Sequence, residues 1–334
     1  MLWNEMLADF RALGGTAENV YLAEGPLGRG LFPINSSRPV RLHVPESLLL
    51  PTHFVEFENG TFRMGTNAPL DPRGRTFIEA YEREFSWGVS RRETEELLTL
   101  LQEATTALRQ ILETPFEAHA WLAGAEPQTI AERFFAARAL PYKGIRVVAP
   151  VLDLINHGLG PRFQATNGIA LQGQFQGEVV IRYGPTDPLG IFNGWGFASP
   201  CEFFALSLGL RLKTNSGSLV IGRQDAAFGG TRNPFVPEIS ISGDTITLSN
   251  LLLGHKSIPK LARGIFYRIM REAGRPDAEE TFDRIQHINR MAYHKLESDA
   301  ENAAPPLGRV LRDLARYELE LMSYNIGASE ALQA

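Results

Sequence analysis

The sequence predicts an α+β protein, with a mainly β region first and an all-α domain at the C-terminal end. Apolar residues alternate from Arg38 to Val44, from Gly177 to Tyr183 and from Glu238 to Leu248, as in half-buried strands. Beyond these segments the apolar residues recur at helical spacing in three successive stripes. Because a change of period separates the two regions, we expect a first domain at residues 1–250 and a helical domain at residues 251–334.

A helical insertion is predicted within the first domain, at about residues 71–140. Leucines recur there at the spacing of one helix face: Leu97, Leu101, Leu108 and Leu112. Ser90 and Glu93 fit the capping-box pattern, in which the two side chains satisfy backbone N–H groups reciprocally at the start of a helix. The pattern therefore predicts that one helix begins at Ser90, and a second is expected at about Thr129–Leu140.

Length, charge and cysteine content exclude several classes of protein. The chain has 334 residues, more than a single core usually supports, and a formal net charge of −5. No dense basic stripe is present, so we expect no nucleic-acid partner. The single cysteine, Cys201, excludes an intrachain disulfide and a cysteine-rich zinc site. No apolar run approaches the roughly 18 residues of a membrane span and no signal-like core is evident, so we expect a cytoplasmic protein with no membrane partner.

The most informative segment is residues 150–157, Pro-Val-Leu-Asp-Leu-Ile-Asn-His. It places three polar side chains, those of Asp153, Asn156 and His157, in an otherwise apolar run. Burying such groups is costly unless each finds a hydrogen-bond partner. The residues alone permit three interpretations: a satisfied cluster in the core, a metal site or a site for a polar ligand.

The metal site is the weakest of these interpretations. Asp153 and His157 are four residues apart, so they would share one face of a helix. Catalytic zinc normally takes three protein ligands, and the spacing implies no third one. We therefore expect no bound metal, and a metal-dependent hydrolase is the third hypothesis for the function.

Gly28-Arg29-Gly30 is compatible with a nucleotide-binding loop or with a tight turn between strands. The dinucleotide-binding fingerprint needs a helix directly after its glycines. Pro33 and the Asn-Ser-Ser that follows soon after argue against a helix here. The frequency of glycine in turns favours the turn, and the functional alternative is a loop whose backbone groups contact a small ligand.

Five segments follow one another in a defined order. They are the Gly-Arg-Gly turn, the helical insertion ending in Arg138, Asp-Leu-Ile-Asn-His, a strand ending in Tyr183-Gly184, and Gly-Trp-Gly-Phe. This order resembles the SET-domain methyltransferases, specifically the subgroup around the plant Rubisco large-subunit methyltransferase. The resemblance covers about residues 18–325 and rests mainly on Asp-Leu-Ile-Asn-His. It implies a SET β-fold with a helical insertion, followed by a helical substrate-binding domain.

The resemblance also implies S-adenosylmethionine as the cofactor. Leu27, Gly28, Arg29 and Gly30 match the loop that contacts this cofactor through backbone groups. Arg138 falls where the family has an arginine that reaches the carboxylate of the cofactor. A guanidinium fork is suited to that task.

The remaining site residues are also implied by the resemblance. Asn156 and His157 match residues that contact the cofactor through backbone and side chain, and Asp153 matches a supporting acid nearby. Tyr183 matches a tyrosine of the channel through which the target nitrogen reaches the methyl group. Phe197 matches the aromatic residue beside that tyrosine.

Trp195 departs from the pattern, because most members of the family have a tyrosine at this position. An indole offers only an N–H donor and is bulkier, so Tyr183 would have to supply the hydroxyl. Some relatives that methylate histidine also lack a tyrosine here, so Trp195 is compatible with an active enzyme. A second departure is Asp187-Pro188, which stands where the family has Ser-Asn.

The leading hypothesis is S-adenosylmethionine-dependent N-methylation of a lysine or histidine in a protein. Methyl transfer is an in-line displacement, so catalysis would come largely from alignment and fixed electrostatics. Tyr183 would orient the nucleophile, and the C-terminal helices would dock the protein substrate. The alternative, motivated by Trp195 and by Asp187-Pro188, is a catalytically impaired SET-like module that binds cofactor or protein.

Overall fold

The computed structural model describes residues 2–58, 60–102, 108, 124–223 and 233–325, and it confirms a mixed α+β fold. The helices are, in chain order, α1 (Trp3–Ala12), α2 (Pro72–Phe85), α3 (Trp87–Gln102), α4 (Pro127–Arg138), α5 (Pro188–Trp195), α6 (Leu261–Glu272), α7 (Ala278–Asp299) and α8 (Pro305–Ser323). Short 3-10 turns cover Glu46–Leu48, Thr52–Phe54, Leu152–Leu154 and Ala300–Asn302. The predicted Leu112 lies outside the described residues.

The strands are short and numerous. They are β1 (Thr16–Glu18), β2 (Val20–Gly25), β3 (Gly28–Pro33), β4 (Val40–Pro45), β5 (Leu50–Pro51), β6 (Val55–Glu58), β7 (Thr61–Met64), β8 (Leu140–Tyr142), β9 (Ile145–Val148), β10 (Asn156–His157), β11 (Gln164–Ala165), β12 (Gly168–Gly173), β13 (Val180–Ile181), β14 (Phe204–Leu206), β15 (Leu210–Thr214), β16 (Gly217–Ile221), β17 (Ile239–Ser242), β18 (Thr245–Leu248) and β19 (Leu252–His255).

The chain divides into two compact units. Unit 1 comprises Met1–Glu96 and Ala125–Gly184, and unit 2 comprises Leu97–Gly124 and Pro185–Ala334. This division differs from the predicted boundary at residue 250. Strand β14 pairs with β19, so a boundary at residue 250 would separate two hydrogen-bonded strands.

Unit 1 is built from several small sheets. One has the strand order β1-β4-β12-β11, a second has the order β5-β9-β8, and β2–β3 and β6–β7 form two hairpins. The predicted strand at Arg38–Val44 is confirmed as β4, where Val40, Leu42 and Val44 are buried on one face. Strands β10 and β13 pair in parallel, which brings the Asp-Leu-Ile-Asn-His motif beside the segment that leads to Tyr183.

Two glycines allow the chain after β10 to pass close to β13. A side-chain carbon at Gly160 would lie 1.8 Å from the backbone oxygen of Val180. One at Gly158 would lie 2.9 Å from the side chain of the same valine. Because the nearest atom at position 160 is backbone and cannot rotate away, any side chain there would displace the strand.

Helix α2 begins with a local sequence signal and carries a row of stacked aromatic rings. The carboxylate of Asp71 accepts the N–H of Gly74 at 2.7 Å, and a proline occupies the first turn, as is usual at helix starts. The rings of Phe77, Tyr81 and Phe85 stack in sequence at centroid distances of 6.2 Å. This row fixes the position of Tyr81, which is fully buried.

Helix α3 begins at Trp87, so the capping-box prediction for Ser90 was wrong. The N–H of Ser90 donates to the backbone oxygen of Ser86 at 3.0 Å and is therefore already inside the first helical turn. Trp87 is buried and packs against the rings of Phe134 and Phe135 at centroid distances of 5.1 and 5.8 Å. We infer that this packing starts the helix one turn earlier than the local signal suggests.

Unit 2 contains sheets as well as helices, so it is not an all-α unit. Its larger sheet has the strand order β15-β16-β18-β17, and the predicted hairpin turn at Gly243-Asp244 is confirmed between β17 and β18. The C-terminal helices are present as α6, α7 and α8. Their apolar stripes are buried, for example at Phe266, Ile285 and Leu311.

Within the described part of the chain, the helices include none that combines the length and the apolar character needed to cross a membrane.

Candidate functional site

Asp153 lies in a hydrogen-bond network inside unit 1. Tyr81 donates its hydroxyl to one carboxylate oxygen, and Ser86 donates to the other at 2.8 Å. The hydroxyl oxygen of Tyr81 accepts the N–H of Val151 at 2.9 Å. Val151 has a φ of +73°, which is unusual for a β-branched residue. The network therefore holds a strained backbone at the start of the motif, a feature that is concentrated at functional sites.

Glu82 is a second carboxyl group beside this network. Its side chain is fully buried, and the N–H of Trp87 donates to Oε2 at 3.3 Å. Among the described residues, no donor reaches Oε1. Burial, reinforced by the nearby charge of Asp153, raises the pKa of Glu82 to about 8. Burial also raises the pKa of Asp153, whereas its two hydroxyl donors favour the ionised form. Glu82 therefore carries a proton at neutral pH.

We expect the unfolding free energy of Glu82→Gln, relative to that of the wild type, to increase as the pH rises from about 5 to 8. An unfolded glutamate ionises near pH 4.5, whereas folded Glu82 ionises near 8, so the native state binds the extra proton between these values. The wild type should lose about 1.4 kcal/mol of unfolding free energy per pH unit in this window because of Glu82. The Glu82→Gln variant should not show this loss, since its amide does not ionise. Urea unfolding at several pH values measures the difference.

The exposed Glu93→Gln on α3 is the matched control, and its curve should run parallel to that of the wild type. A constant difference between Glu82→Gln and wild type from pH 5 to 8 would contradict the assignment of the proton.

Asn156 contacts the glycine turn directly. Its side-chain nitrogen donates to the backbone oxygen of Arg29 at 3.3 Å and to Oε1 of Glu178 at 2.5 Å. A side-chain carbon at Gly30 would lie 2.2 Å from this Glu178 oxygen and 2.8 Å from the Asn156 nitrogen. A side chain at position 30 would therefore have to displace both groups, and the structure brings together the two segments that the sequence singles out.

The glycine turn itself is a β-hairpin turn between β2 and β3, and no helix follows it. Leu27 and Gly28 lie exposed at its tip, where Gly28 has a φ of +92° that favours glycine. Arg29 directs its guanidinium away from the tip, donating to the backbone oxygen of Phe85 and to the hydroxyl of Ser90. The turn therefore presents its backbone groups to Asn156, and not the side chain of Arg29.

His157 and Tyr183 form a pair next to Asn156. The ring Nδ1 of His157 accepts the N–H of Tyr183 at 3.2 Å, and the two ring centroids are 5.0 Å apart. An accepting Nδ1 assigns the proton of the neutral imidazole to Nε2. The hydroxyl of Tyr183 donates to the backbone oxygen of Ile155 at 2.8 Å. Burial raises the pKa of Tyr183, so its hydroxyl stays protonated.

This pairing also explains why the predicted strand at Gly177–Tyr183 is shorter than expected. Only Val180–Ile181 forms the regular strand β13. On one side of it the N–H of Val179 donates to the backbone oxygen of Leu31, and on the other the N–H of Tyr183 donates to the His157 ring. The N–H groups of Val179 and Tyr183 therefore donate to other parts of the site and do not extend the pairing between β13 and β10.

Arg138 ends helix α4 near these groups. Its guanidinium carbon lies 3.9 Å from the ring centroid of Phe134. Its charge lowers the pKa values of Asp153 and Tyr183 against the larger effect of burial, as expected of a cation close to both. Within the described ranges, its guanidinium donates no hydrogen bond to the protein. It is a partly exposed cation with donors available to an anionic group.

Glu178 and the Tyr81–Ser86 pair are site residues that the sequence did not single out. Glu178 supplies the carboxylate under the hairpin; one of its oxygens, Oε2, is buried and has no hydrogen-bond partner within the described ranges. Burial raises the pKa of Glu178. Its position inside the predicted strand Gly177–Tyr183 was the only available signal. Tyr81 and Ser86 carried none, because only the tertiary fold brings them to Asp153.

Trp195 and Phe197 belong to unit 2. Trp195 is the last residue of α5, and Phe197 follows Gly196, whose φ of +82° ends the helix. Asp187 caps the start of α5 by accepting the N–H of Gly190 at 2.9 Å. Asp187-Pro188 is therefore a helix start, with the proline in the first turn. The roles of Trp195 and Phe197 in a substrate channel stay predictions.

A metal site on Asp153 and His157 has no further ligands in the described chain. Among those residues, no three or more His, Cys, Asp or Glu side chains are grouped so that they could hold a metal ion. Both oxygens of Asp153 accept hydrogen bonds from hydroxyl groups instead.

Comparison with known proteins leaves this chain without a family assignment. No protein-family model matches it, and no curated protein sequence matches it.

Proposed function

We propose that this chain is an S-adenosylmethionine-dependent methyltransferase of the SET type, acting on a side-chain nitrogen of a protein lysine or histidine. The observation that carries the proposal is the hydrogen bond from the side chain of Asn156 to the backbone oxygen of Arg29 in the hairpin turn. The next residue of the same motif, His157, accepts the N–H of Tyr183. A ligand seated against this motif would meet backbone groups of the hairpin, an amide, an imidazole and a phenol. The proposal rests on this arrangement together with the order of motifs in the sequence.

The residues present fit the charged groups of S-adenosylmethionine. Arg138 can hold the carboxylate of the cofactor with a guanidinium that is not committed to a protein acceptor. Glu178 and the backbone oxygens of the hairpin can accept from its ammonium group, because Oε2 of Glu178 has no donor among the described residues. When bound, the cofactor supplies an electrophilic methyl group on a positively charged sulfur.

Tyr183 is the residue that would orient the nucleophile. Its proton is committed to the backbone oxygen of Ile155, so an incoming amine would meet the hydroxyl oxygen as an acceptor for its own N–H. The amine must be neutral to attack. A lysine would lose its proton on entering a dry site, whereas a histidine is mostly neutral already near pH 7.

We further propose that the substrate docks on the helices of unit 2 and that the reaction is cytoplasmic, as the single Cys201 suggests.

Binding of S-adenosylmethionine is the first test, and Arg138→Ala is the informative variant. We expect calorimetry to show binding to the wild type and a loss of about tenfold or more for Arg138→Ala, because one charge-assisted contact is removed. The control is Arg92→Ala, an exposed arginine on α3, which should bind like the wild type. Absence of binding to the wild type would contradict the proposal.

Transfer of a radiolabelled methyl group into proteins of a host lysate is the second test. Labelling of a protein on lysine or histidine would support the enzyme. Cofactor binding without labelling of any protein, across lysates from several sources, would favour the alternative that this chain is a SET-like binding module.

A further inference from the structure

A second concave surface lies in unit 2, beside the C-terminal half of α6. It encloses about 390 Å³ between α6, the turn after it and the start of α7. Gly264, Tyr267, Arg268 and Arg271 form one face of α6 at helical spacing, and Arg275 closes the far side. The lining thus contains three guanidinium groups and one phenol, and none of these residues is among those proposed to hold the cofactor or to orient the nucleophile.

Gly264 forms the floor of this surface. A side-chain carbon added there would meet no atom within 4 Å, so close packing does not require glycine at this position. Glycine is also a poor helix former, and α6 continues on both sides of it. The missing side chain leaves open space next to Arg268 and Tyr267. Packing therefore gives no reason for a glycine at this position, and the space that it leaves is open to a ligand.

The three arginines are only weakly neutralised by the protein. Arg268 lies 3.9 Å from Glu272 in an exposed pair of the kind that contributes little. Arg275 donates to the backbone oxygen of Asp244 at 2.5 Å, which fixes the guanidinium without cancelling its charge. For Arg271, the described residues include no hydrogen-bond or ion-pair partner. The surface therefore carries a compact positive charge.

Tyr267 adds a flat apolar wall and an oriented hydroxyl. Its oxygen accepts a hydrogen bond from Arg263 at 2.8 Å, which leaves the hydroxyl proton as a donor. Two exposed carboxylates lie at α6 and the start of α7: Glu272 is 3.9 Å from Arg268 and Glu279 is 4.0 Å from Arg263. These carboxylates would repel an extended polyanion, such as a nucleic-acid strand. A single compact anion avoids that repulsion.

We propose that this surface binds the phosphate group of a phosphomonoester. Three planar guanidinium groups match the oxygens of a phosphate, which they can contact in pairs. The volume fits one phosphate with a small attached group, and the ring of Tyr267 can pack against that group. The phosphomonoester is either a free small molecule or a phosphorylated side chain of a protein. The proposal is independent of the methyltransferase assignment, since the two sites share no residue.

Phenyl phosphate is the probe for this site, with binding followed by calorimetry in chloride buffer of constant ionic strength. Arg271→Ala should weaken binding about tenfold or more, because it removes a charged donor. The exposed Arg309→Ala on α8 should bind like the wild type. Gly264→Leu should also abolish binding without changing any charge, because its side chain fills the floor. Circular dichroism should show that each variant stays folded.

The outcomes separate the possibilities. Tighter binding of a phosphotyrosine tripeptide than of phenyl phosphate would identify a phosphorylated protein as the source, and equal binding would identify a small molecule. The proposal is overturned if Arg271→Ala and Arg309→Ala bind alike, or if Gly264→Leu keeps its affinity. It is also overturned if a ten-nucleotide DNA strand binds more tightly than phenyl phosphate.

Discussion

Arg223→Met should lower the free energy of unfolding by about 3–5 kcal/mol, the usual result of leaving a buried charge without its partner. Arg223 lies 2.6 Å from Asp187 in unit 2, and their side chains are only 2% and 1% exposed. Asp187 also accepts the N–H of Leu206 at 3.1 Å and caps helix α5. The variant would therefore leave this carboxyl group in a buried site without its charged partner.

The surroundings of this pair make the prediction specific. Glu318 is fully buried beside it, and burial, together with the charge of Asp187, raises the pKa of Glu318. A raised pKa favours the neutral form of Glu318, so Glu318 does not replace Asp187 as the partner of the Arg223 guanidinium. Glu318 accepts the N–H of Leu189 at 2.8 Å, so it belongs to the same buried cluster.

Urea unfolding with a matched control tests this prediction. Arg309 and Asp313 form an exposed pair at 3.9 Å, and Arg309→Met should change the unfolding free energy by less than about 1 kcal/mol. Adding Asp187→Asn to Arg223→Met should restore part of the loss, because the uncompensated charge is then absent. Equal effects of Arg223→Met and Arg309→Met would show that the buried pair contributes no more than the exposed one.

Tyr183→Phe should reduce methyl transfer by about a hundredfold or more while leaving cofactor affinity nearly unchanged. The substitution removes the hydroxyl that would align the nucleophile, and misplaced reacting groups lose rates of this size. The contact with His157 uses the backbone N–H of Tyr183, and the ring packs on the imidazole, so both should survive in the variant. The effect would then fall on turnover and not on binding.

The measurement compares initial rates of methyl transfer and the calorimetric affinity for S-adenosylmethionine. Tyr21→Phe is the control, since Tyr21 is 43% exposed and its ring contact with Phe32 does not need the hydroxyl. An unchanged rate in Tyr183→Phe would remove this residue from the catalytic step. A loss of affinity equal to the loss of rate would assign it to cofactor binding instead.

The parts of the site that could be predicted from the sequence are those encoded in short segments. Asn156 and His157 stood out because polar residues interrupt a local apolar run, and the turn at Gly28-Arg29-Gly30 was identified from its own chemistry. Tyr81 and Ser86 could not be found in this way. They contact Asp153 across 72 and 67 residues of sequence, so only tertiary packing reveals them.

The same distinction applies to the fold. The alternation in β4 and the hairpin turn at Gly243-Asp244 are local patterns, and both were predicted correctly. The division of the chain into units follows tertiary contacts that no local pattern encodes, since the pairing of β14 with β19 joins residues on both sides of position 250. The start of α3 also differed, since burial of Trp87 outweighed a capping pattern that contributes about 1 kcal/mol.

The glycines around β10 and β13 have a consequence for recognising distant relatives of this chain. Gly160 is required by the backbone of Val180, whereas Gly30 faces the side chains of Glu178 and Asn156. The requirement at Gly160 therefore comes from the path of the main chain and not from the reaction, but the one at Gly30 depends on two residues of the proposed cofactor site. Relatives that changed substrate, or lost activity, should keep glycine at position 160 even where the surrounding motif has diverged, and position 30 should vary together with Glu178 and Asn156. Gly160 would then mark common ancestry more durably than any catalytic residue.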